Sequence, residues 1–459
     1  MSYSDNYNGY ILHNKDFMKV YERSFAIPVT TNHKNLISYL KNYITCQLAD
    51  NEIPIRFVVN TTNTDTYYCD VGIIALDDKS KYPNLQSIFD FNLRTHENTN
   101  EFNIVLIVPT GVHAEIGGHS GDAGTISKLF GSVCDNFITH PNVVNAADIN
   151  EMPANTLYVE GSSLCKLLMG SIGLQKVRSN RVLFVLDKHE QHKFNVISIN
   201  SLNAARATYG LNCPKIVFLS PSVELTSEYT KEGRAIGRIN NLERMCAAFE
   251  KYKGEYDAVA INTIIDIDLE TEKKYFELGS EVINPWGGVE AMLTHSLATL
   301  YNVPTAHSPM CGVDKEIGIL EVDVVDPRKA AESVSLSALQ CIFKGLQNSP
   351  KLVANDDMHQ EGTITATNIS CLITPDGCVG LPILAALEQG ITVIAVKSNA
   401  NIMKNDLQKL PWKPGQFYLV ESYLEAVGIV TAIKAGITVE SIQRPIELTP
   451  IETMAFNDS

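Results

Sequence analysis

The chain has 459 residues, of which 45% are apolar and 19% charged. That composition excludes disordered, collagen-like and coiled-coil classes and, at roughly 150 residues per domain, leaves room for about three domains or two large ones. Lysine plus arginine number 37 against 52 acidic residues, a formal charge of −15, which argues against nucleic acid and against an anionic membrane surface as partners. No apolar run approaches the roughly 18 residues of a membrane span. The first residues, MSYSDNYNGYILHNKDF, have neither a basic segment nor a continuous apolar one, so they do not look like a signal peptide. Ten cysteines are scattered without a CxxC pair. Several sit in apolar runs (Cys46, Cys246, Cys341, Cys371), as reduced thiols packed as small hydrophobes do. A reduced, cytoplasmic protein is expected.

The elements follow in chain order. Apolar residues Leu36, Ile37, Leu40, Ile44 and Leu48 recur at helical spacing, and Ile55–Val59 and Tyr67–Leu76 read as strands. Residues 1–100 are therefore expected to form an N-terminal α+β module. From Asn103 onward short apolar strands alternate with helices: Asn103–Val108, a helix from Thr125, then strands Arg181–Leu186 and Lys215–Leu219. A polar, loop-like stretch Leu219–Arg238 follows, then helix Asn241–Lys251, strand Tyr256–Ile261, helix Gly287–Leu300 and strand Pro304–Ala306. Asp326-Pro327 reads as an N-cap with a first-turn proline before a helix Ala330–Gly345. Ser370–Thr374, Leu381–Gln389 and Ile391–Val396 form a βαβ unit. The alternation predicts an α/β fold with two lobes of mainly parallel sheet, residues 101–215 and 216–459.

In such sheets ligands bind beyond the carboxyl ends of strands, so the loops there are the candidates. The first runs from Pro109 to Gly124 and holds Gly117, Gly118, His119, Ser120, Gly121 and Asp122. Its glycines and a following helix N-terminus suit an anion, although neither GxGxxG nor GxxxxGK[ST] is present. The second, Thr139–Asn145, offers His140 as an acid or base and Asn142 and Asn145 as polar contacts, or else an Asx turn. In the third, Glu160 stands at a strand end, facing a cleft or capping the next helix. In the fourth, Glu290 and His295 are poorly spaced for one metal. His295 reads as a core histidine, while His307, after its strand, is the better candidate. No cluster has convincing ligand spacing, so no metal and no cofactor are expected. In the fifth, Thr374–Pro382, Cys378 sits near a helix N-terminus that would lower its pKa, flanked by Gly377 and Gly380. Cys311 occupies an analogous loop.

The Gly-rich loop, THPNVVNAA, YVEGSSL, NRVLFVLD, GGVEAMLTH, AHSP and the Cys-Gly loop before ALEQGITVIAV resemble a bacterial family of unknown function, family 3326, from about residue 103 to 437. The resemblance brings no reaction with it. Gly380–Ala395 is also similar to the donor-binding segment of two-lobed glycosyltransferases and sugar-nucleotide epimerases, where a glycine loop and a helix with Glu hold phosphates and ribose. Three readings follow. One is a cofactor-independent isomerase, a racemase or epimerase of a small anionic metabolite, with Cys378 as one base and Cys311 or His307 opposite. The others are a sugar-nucleotide enzyme and a non-enzymatic anion-binding protein. A homo-oligomer is left open.

Overall fold

A computed structural model describes residues 18–30, 35–82, 85–149, 151–310 and 323–456. The fold is α/β, as the alternation of strands and helices predicts. One sheet is wholly parallel. Its six strands lie in the order Phe417–Val420, Thr392–Val396, Ile369–Pro375, Asn103–Leu106, Asn136–Thr139, Thr156–Tyr158. The chain builds outward from Asn103–Leu106 in one direction and from Ile369–Pro375 in the other, which opens a crevice at their carboxyl ends. The central strands are buried along their whole length, as sheets covered on both faces require.

The second sheet has ten strands and is mixed. Val182–Asp187, Lys215–Leu219, Ala258–Asp266 and Thr305–Met310 pair in parallel. The remainder is largely antiparallel: hairpin Glu52–Thr62/Thr66–Leu76 is extended by Met18–Pro28, which pairs with Thr66–Leu76 and on its other edge with Ala235–Asn240, itself paired with Glu224–Tyr229. Sheet membership therefore cuts across the expected boundaries at residues 100 and 215. The first hundred residues join the second sheet through Lys19 opposite Asn240, and Lys215–Leu219 pairs with Val182–Asp187. A small third sheet joins Lys351–Val353, Gly173–Gln175 and Thr363–Ile364.

Two local expectations are corrected. The polar stretch Leu219–Arg238 holds a hairpin strand, Glu224–Tyr229, whose partner Ala235–Asn240 completes it. The long helix from Ala330 is broken. A single turn, Ala330–Ser333, is followed by Leu339–Gln347, with Ala338 at φ 51 between them. Asp148 spans the break, taking the Ser337 (3.2 Å) and Gln340 (3.3 Å) amides. The expected cap holds, since the Asp326 carboxylate accepts from the Arg328 amide. Among the described residues no helix is long and apolar enough to cross a membrane.

Candidate active site

Loops far apart in sequence meet around a cavity of about 380 Å³. Ser120, His140, Asn142, Asn145, Glu160, His307, Cys378 and Gly380 all line it. Gly117, Gly118, His119, Gly121, Asp122 and Gly377 do not line it. Cys311 lies outside the described residues.

The strongest chemistry centres on Glu160. It caps helix Gly161–Leu168, accepting from the Ser162 and Ser163 amides, both at 3.0 Å. The Thr294 hydroxyl adds a bond at 3.3 Å, and His295 Nδ1–H donates to the same carboxylate oxygen. Burial alone would raise this carboxyl, but the His295 ring and the helix-terminal donors outweigh it and hold it down at about 2. Glu160 is therefore a buried carboxylate that caps the helix and also borders the cavity. His295, set aside on sequence as a core residue, is its partner. With Nδ1 spent, its Nε2 has no protein partner among the described residues, and the ring borders the cavity.

His295 is carried by helix Gly287–Tyr301, which can approach the second sheet because it begins with two glycines. A Cβ on Gly288 would lie 2.3 Å from the Ala235 carbonyl. Glu290, one turn before Thr294, faces His307. The His307 Nδ1 lies 3.1 Å from Glu290 Oε1, and Nε2 lies 2.8 Å from the Thr263 hydroxyl. His307 thus stands within strand Thr305–Met310 rather than in the loop beyond it, with both nitrogens engaged. It is a poor candidate for the second base.

His140 caps the short helix Pro141–Val144, and its Nε2 accepts from the Val108 amide at 3.2 Å. The ring proton therefore sits on Nδ1. Burial pushes the imidazole down to about 4, with Glu160 pulling the other way, so it is neutral at physiological pH. Asn142 ties the glycine loop to the strand end by donating to the Val108 (2.9 Å) and Gly117 (2.8 Å) carbonyls. Asn145 accepts from the Tyr158 hydroxyl at 3.1 Å.

Two expected roles are overturned. The glycine loop is not an open anion nest, because the protein's own carboxyls fill it. Gly117 N–H donates to Asp122 (2.8 Å) and Ser120 N–H to Glu332 (2.9 Å), and burial pushes both acids up to about 7. His119 donates to the Tyr275 hydroxyl (2.8 Å), which donates to Glu332 (2.9 Å), so it supports the wall from behind. Gly121, at φ 91, is there because a Cβ would lie 2.2 Å from that of Ala146. Cys378, for its part, is no helix-terminal thiolate. It is 4% exposed, and the helix begins only at Leu381, beyond the two-residue strand Val379–Gly380. Burial pushes its thiol up, well away from thiolate at neutral pH.

One wall comes from the N-terminal strands. Arg56, on Glu52–Thr62, borders the cavity and reaches Glu22 at 3.2 Å. Burial pushes its guanidinium down to about 10, with Glu22 opposing, so it stays a cation. Arg234 bonds the same Glu22 and holds Asp70 at 2.7 Å. An arginine in a strand gives no periodic or spacing signal, and nothing in the sequence singled it out. Among the described residues no group of three or more His, Cys, Asp or Glu is arranged to hold a metal.

A doubly covered parallel sheet with a crevice at its switch point, facing a mixed sheet across a cavity that holds a carboxylate–histidine pair, defines an α/β protein with a largely apolar pocket carrying a few polar groups. The chain belongs to the family described as "Protein of unknown function (DUF3326)", whose model matches residues 103–443. It is 30% identical over 336 residues to an uncharacterized lipoprotein of Synechococcus sp., covering 72% of this chain and 91% of that protein. No solved structure matches the chain. Glu160, His295, His140 and His307 fall within the family's span, whereas Arg56 falls outside it.

Proposed function

We propose that this protein is a cofactor-independent isomerase that shifts a proton at a carbon next to the carbonyl or carboxylate of a small metabolite. The observation that carries this reading is the Glu160–His295 pair, with the ring's second nitrogen left to the cavity. A buried carboxylate on Nδ1 fixes the tautomer and stabilises the imidazolium that forms when Nε2 takes a proton. His295 Nε2 would remove the proton from carbon and return it to the same or a neighbouring carbon, so the enzyme ends as it began. Neutral His140, with its proton held on Nδ1 by the Val108 bond, would donate to the oxygen on which enolate charge develops. One histidine base thus takes the place of the pair expected from sequence, Cys378 with Cys311 or His307 opposite. In the sugar-nucleotide reading the helix Glu would bind ribose, but Glu388 accepts from the Ile37 amide at 2.9 Å and does not line the cavity. The nine described cysteines are all free, which supports a reducing, cytoplasmic setting.

The test is hydrogen exchange. The protein is incubated in deuterium oxide with 2-oxo, 2-hydroxy and 2-amino acids, and exchange at carbon is followed by proton NMR. One class should exchange, and H295Q and E160Q should slow it by roughly 100-fold or more. Failure of the wild-type protein to exchange any class overturns the reading.

A further inference from the structure

We infer that the cavity is built for a small zwitterion, with its carboxylate on Arg56 and its ammonium on Glu290. This rests on the proposed use of the same cavity as an acid–base site, and names the substrate class.

Besides its histidines, the cavity presents Arg56, Glu160, Glu272, Glu290 and Glu332. Glu160 is matched by His295 and the helix amides. Glu332 is spent on Ser120, Tyr275 and Asn284, and Glu272 has a partner of its own. Arg56 and Glu290 are different, because each keeps one edge unused. Arg56 gives only Nη1 to Glu22, and its Nε and Nη2 have no partner among the described residues. Glu290 gives only Oε1 to His307, and its Oε2 has no partner among the described residues. The carboxylate of Glu290 is about one quarter exposed, so it can meet a ligand.

The two groups stand on adjoining walls. Gly72 pairs opposite Arg56 in the sheet, and a Cβ there would lie 2.9 Å from Arg56 Cβ and 2.8 Å from Met292 Sδ. Met292 belongs to the helix that carries Glu290. The glycine therefore lets the arginine strand and the glutamate helix come together.

Charge matching then selects the ligand. A phosphate dianion on Arg56 would face the other acids of the wall. A bare carboxylate would leave Glu290 Oε2 without a donor, and a bare amine would leave Arg56 Nε and Nη2 without an acceptor, since Glu22 and His307 each engage only one atom of these groups. Leaving an edge of an enclosed charged group unsatisfied is costly. A molecule with both groups satisfies both ends, and a guanidinium edge accepts a carboxylate in a fork.

Titration calorimetry of the full chain tests this. The probes are the proteinogenic amino acids of both hands and, for each binder, its 2-hydroxy acid, its deaminated acid and its decarboxylated amine. An amino acid should bind at least about tenfold more tightly than each truncated analogue. E290Q should erase the preference over the deaminated acid, and R56Q the preference over the amine. If R56Q fails to fold, R56K replaces it and should lose most of the same preference, because the fork is gone. The inference is overturned if a truncated analogue binds wild-type protein as tightly as the amino acid, or if no amino acid binds. Amino acid binding without hydrogen exchange would overturn the acid–base reading alone. Exchange on a substrate lacking an ammonium would overturn this inference alone.

Discussion

Individual side chains show how burial decides chemistry here. Cys378 and Cys371 are both buried, and burial raises both thiols, whereas Cys46 is exposed at a helix end. Iodoacetamide at pH 8 should therefore label Cys46 first among the described cysteines, and Cys378 no faster than Cys371, as read by peptide mapping. Early labelling of Cys378 with protection by a ligand would restore a thiol mechanism. The carboxyl of Glu332 behaves in the opposite sense to that of Glu160. Burial raises it from an ordinary value near 4.5 to about 7, so the folded state holds a proton that the unfolded chain gives up. Its favourable contribution is complete below about pH 4.5 and is lost as pH rises through about 7. Asp122 and Asp187, also raised to about 7 by burial, act in the same direction. Buried His140 and His119, both pushed down to about 4, act the other way below about pH 6.5, so the melting temperature should fall from about pH 6.5 to 8, and E332Q, which cannot ionise, should flatten that fall. An unchanged slope in E332Q would show that Glu332 is ionised throughout. Legibility at this scale follows from distance along the chain. Glu160 was visible because its capping partners, Ser162 and Ser163, follow at once. The pairing with His295 spans 135 residues, and no local pattern encodes it.

Among elements, those with a clean period were legible to within a residue or two. Helix Leu381–Gln389 and strand Lys215–Leu219 stand where the apolar runs put them. The failures were elements whose partner decides their form. Glu224–Tyr229 is polar because it has one exposed face in an antiparallel pair, and alternation over six residues was masked by its charges. Strand Met18–Pro28 was missed for the same reason, with exposed and buried positions mixed along it. Helix Gly287–Tyr301 was legible as a helix, but the purpose of its leading glycines was not. Gly288 is pressed against Ala235 and Ile236, where a Cβ would meet backbone at 2.3 to 2.6 Å, and backbone cannot rotate away as a side chain can. G288A should therefore push the helix off the sheet, costing about 1–3 kcal/mol or more and moving Glu290 and His295 with it. Thermal melting should show a drop of several degrees, and any exchange activity should fall further than the stability loss explains. A variant with wild-type melting and activity would mean that the sheet yields instead.

For the molecule as a whole, chain order and spatial order diverge. The parallel sheet takes strands from residues 103–158 and again from 369–420, and the mixed sheet takes the first strands and the middle of the chain. The family match begins at residue 103, yet the strands before it are built into the body. Met18–Pro28 bonds Ala235–Asn240, and Glu52–Thr62 bonds Val379–Gly380 of the Cys378 loop. Val20, Ile27, Val71, Ile73 and Ile74 are at most 1% exposed. Each side chain buried in this way contributes about 1.5–3 kcal/mol. Several together match the whole net stability of a domain, about 5–15 kcal/mol. A chain beginning at residue 101 would lose that contribution, bare the strand edges at Ala235–Asn240 and Val379–Gly380, and open the Arg56 wall of the cavity. Exposed edges of this kind template association. The shortened chain should therefore elute as aggregates, bind a hydrophobic dye and lack a cooperative melting transition, while the full chain shows none of these. A monodisperse fragment with a sharp transition would instead make the N-terminal strands an accessory, and the cavity would then have to hold its ligand without Arg56.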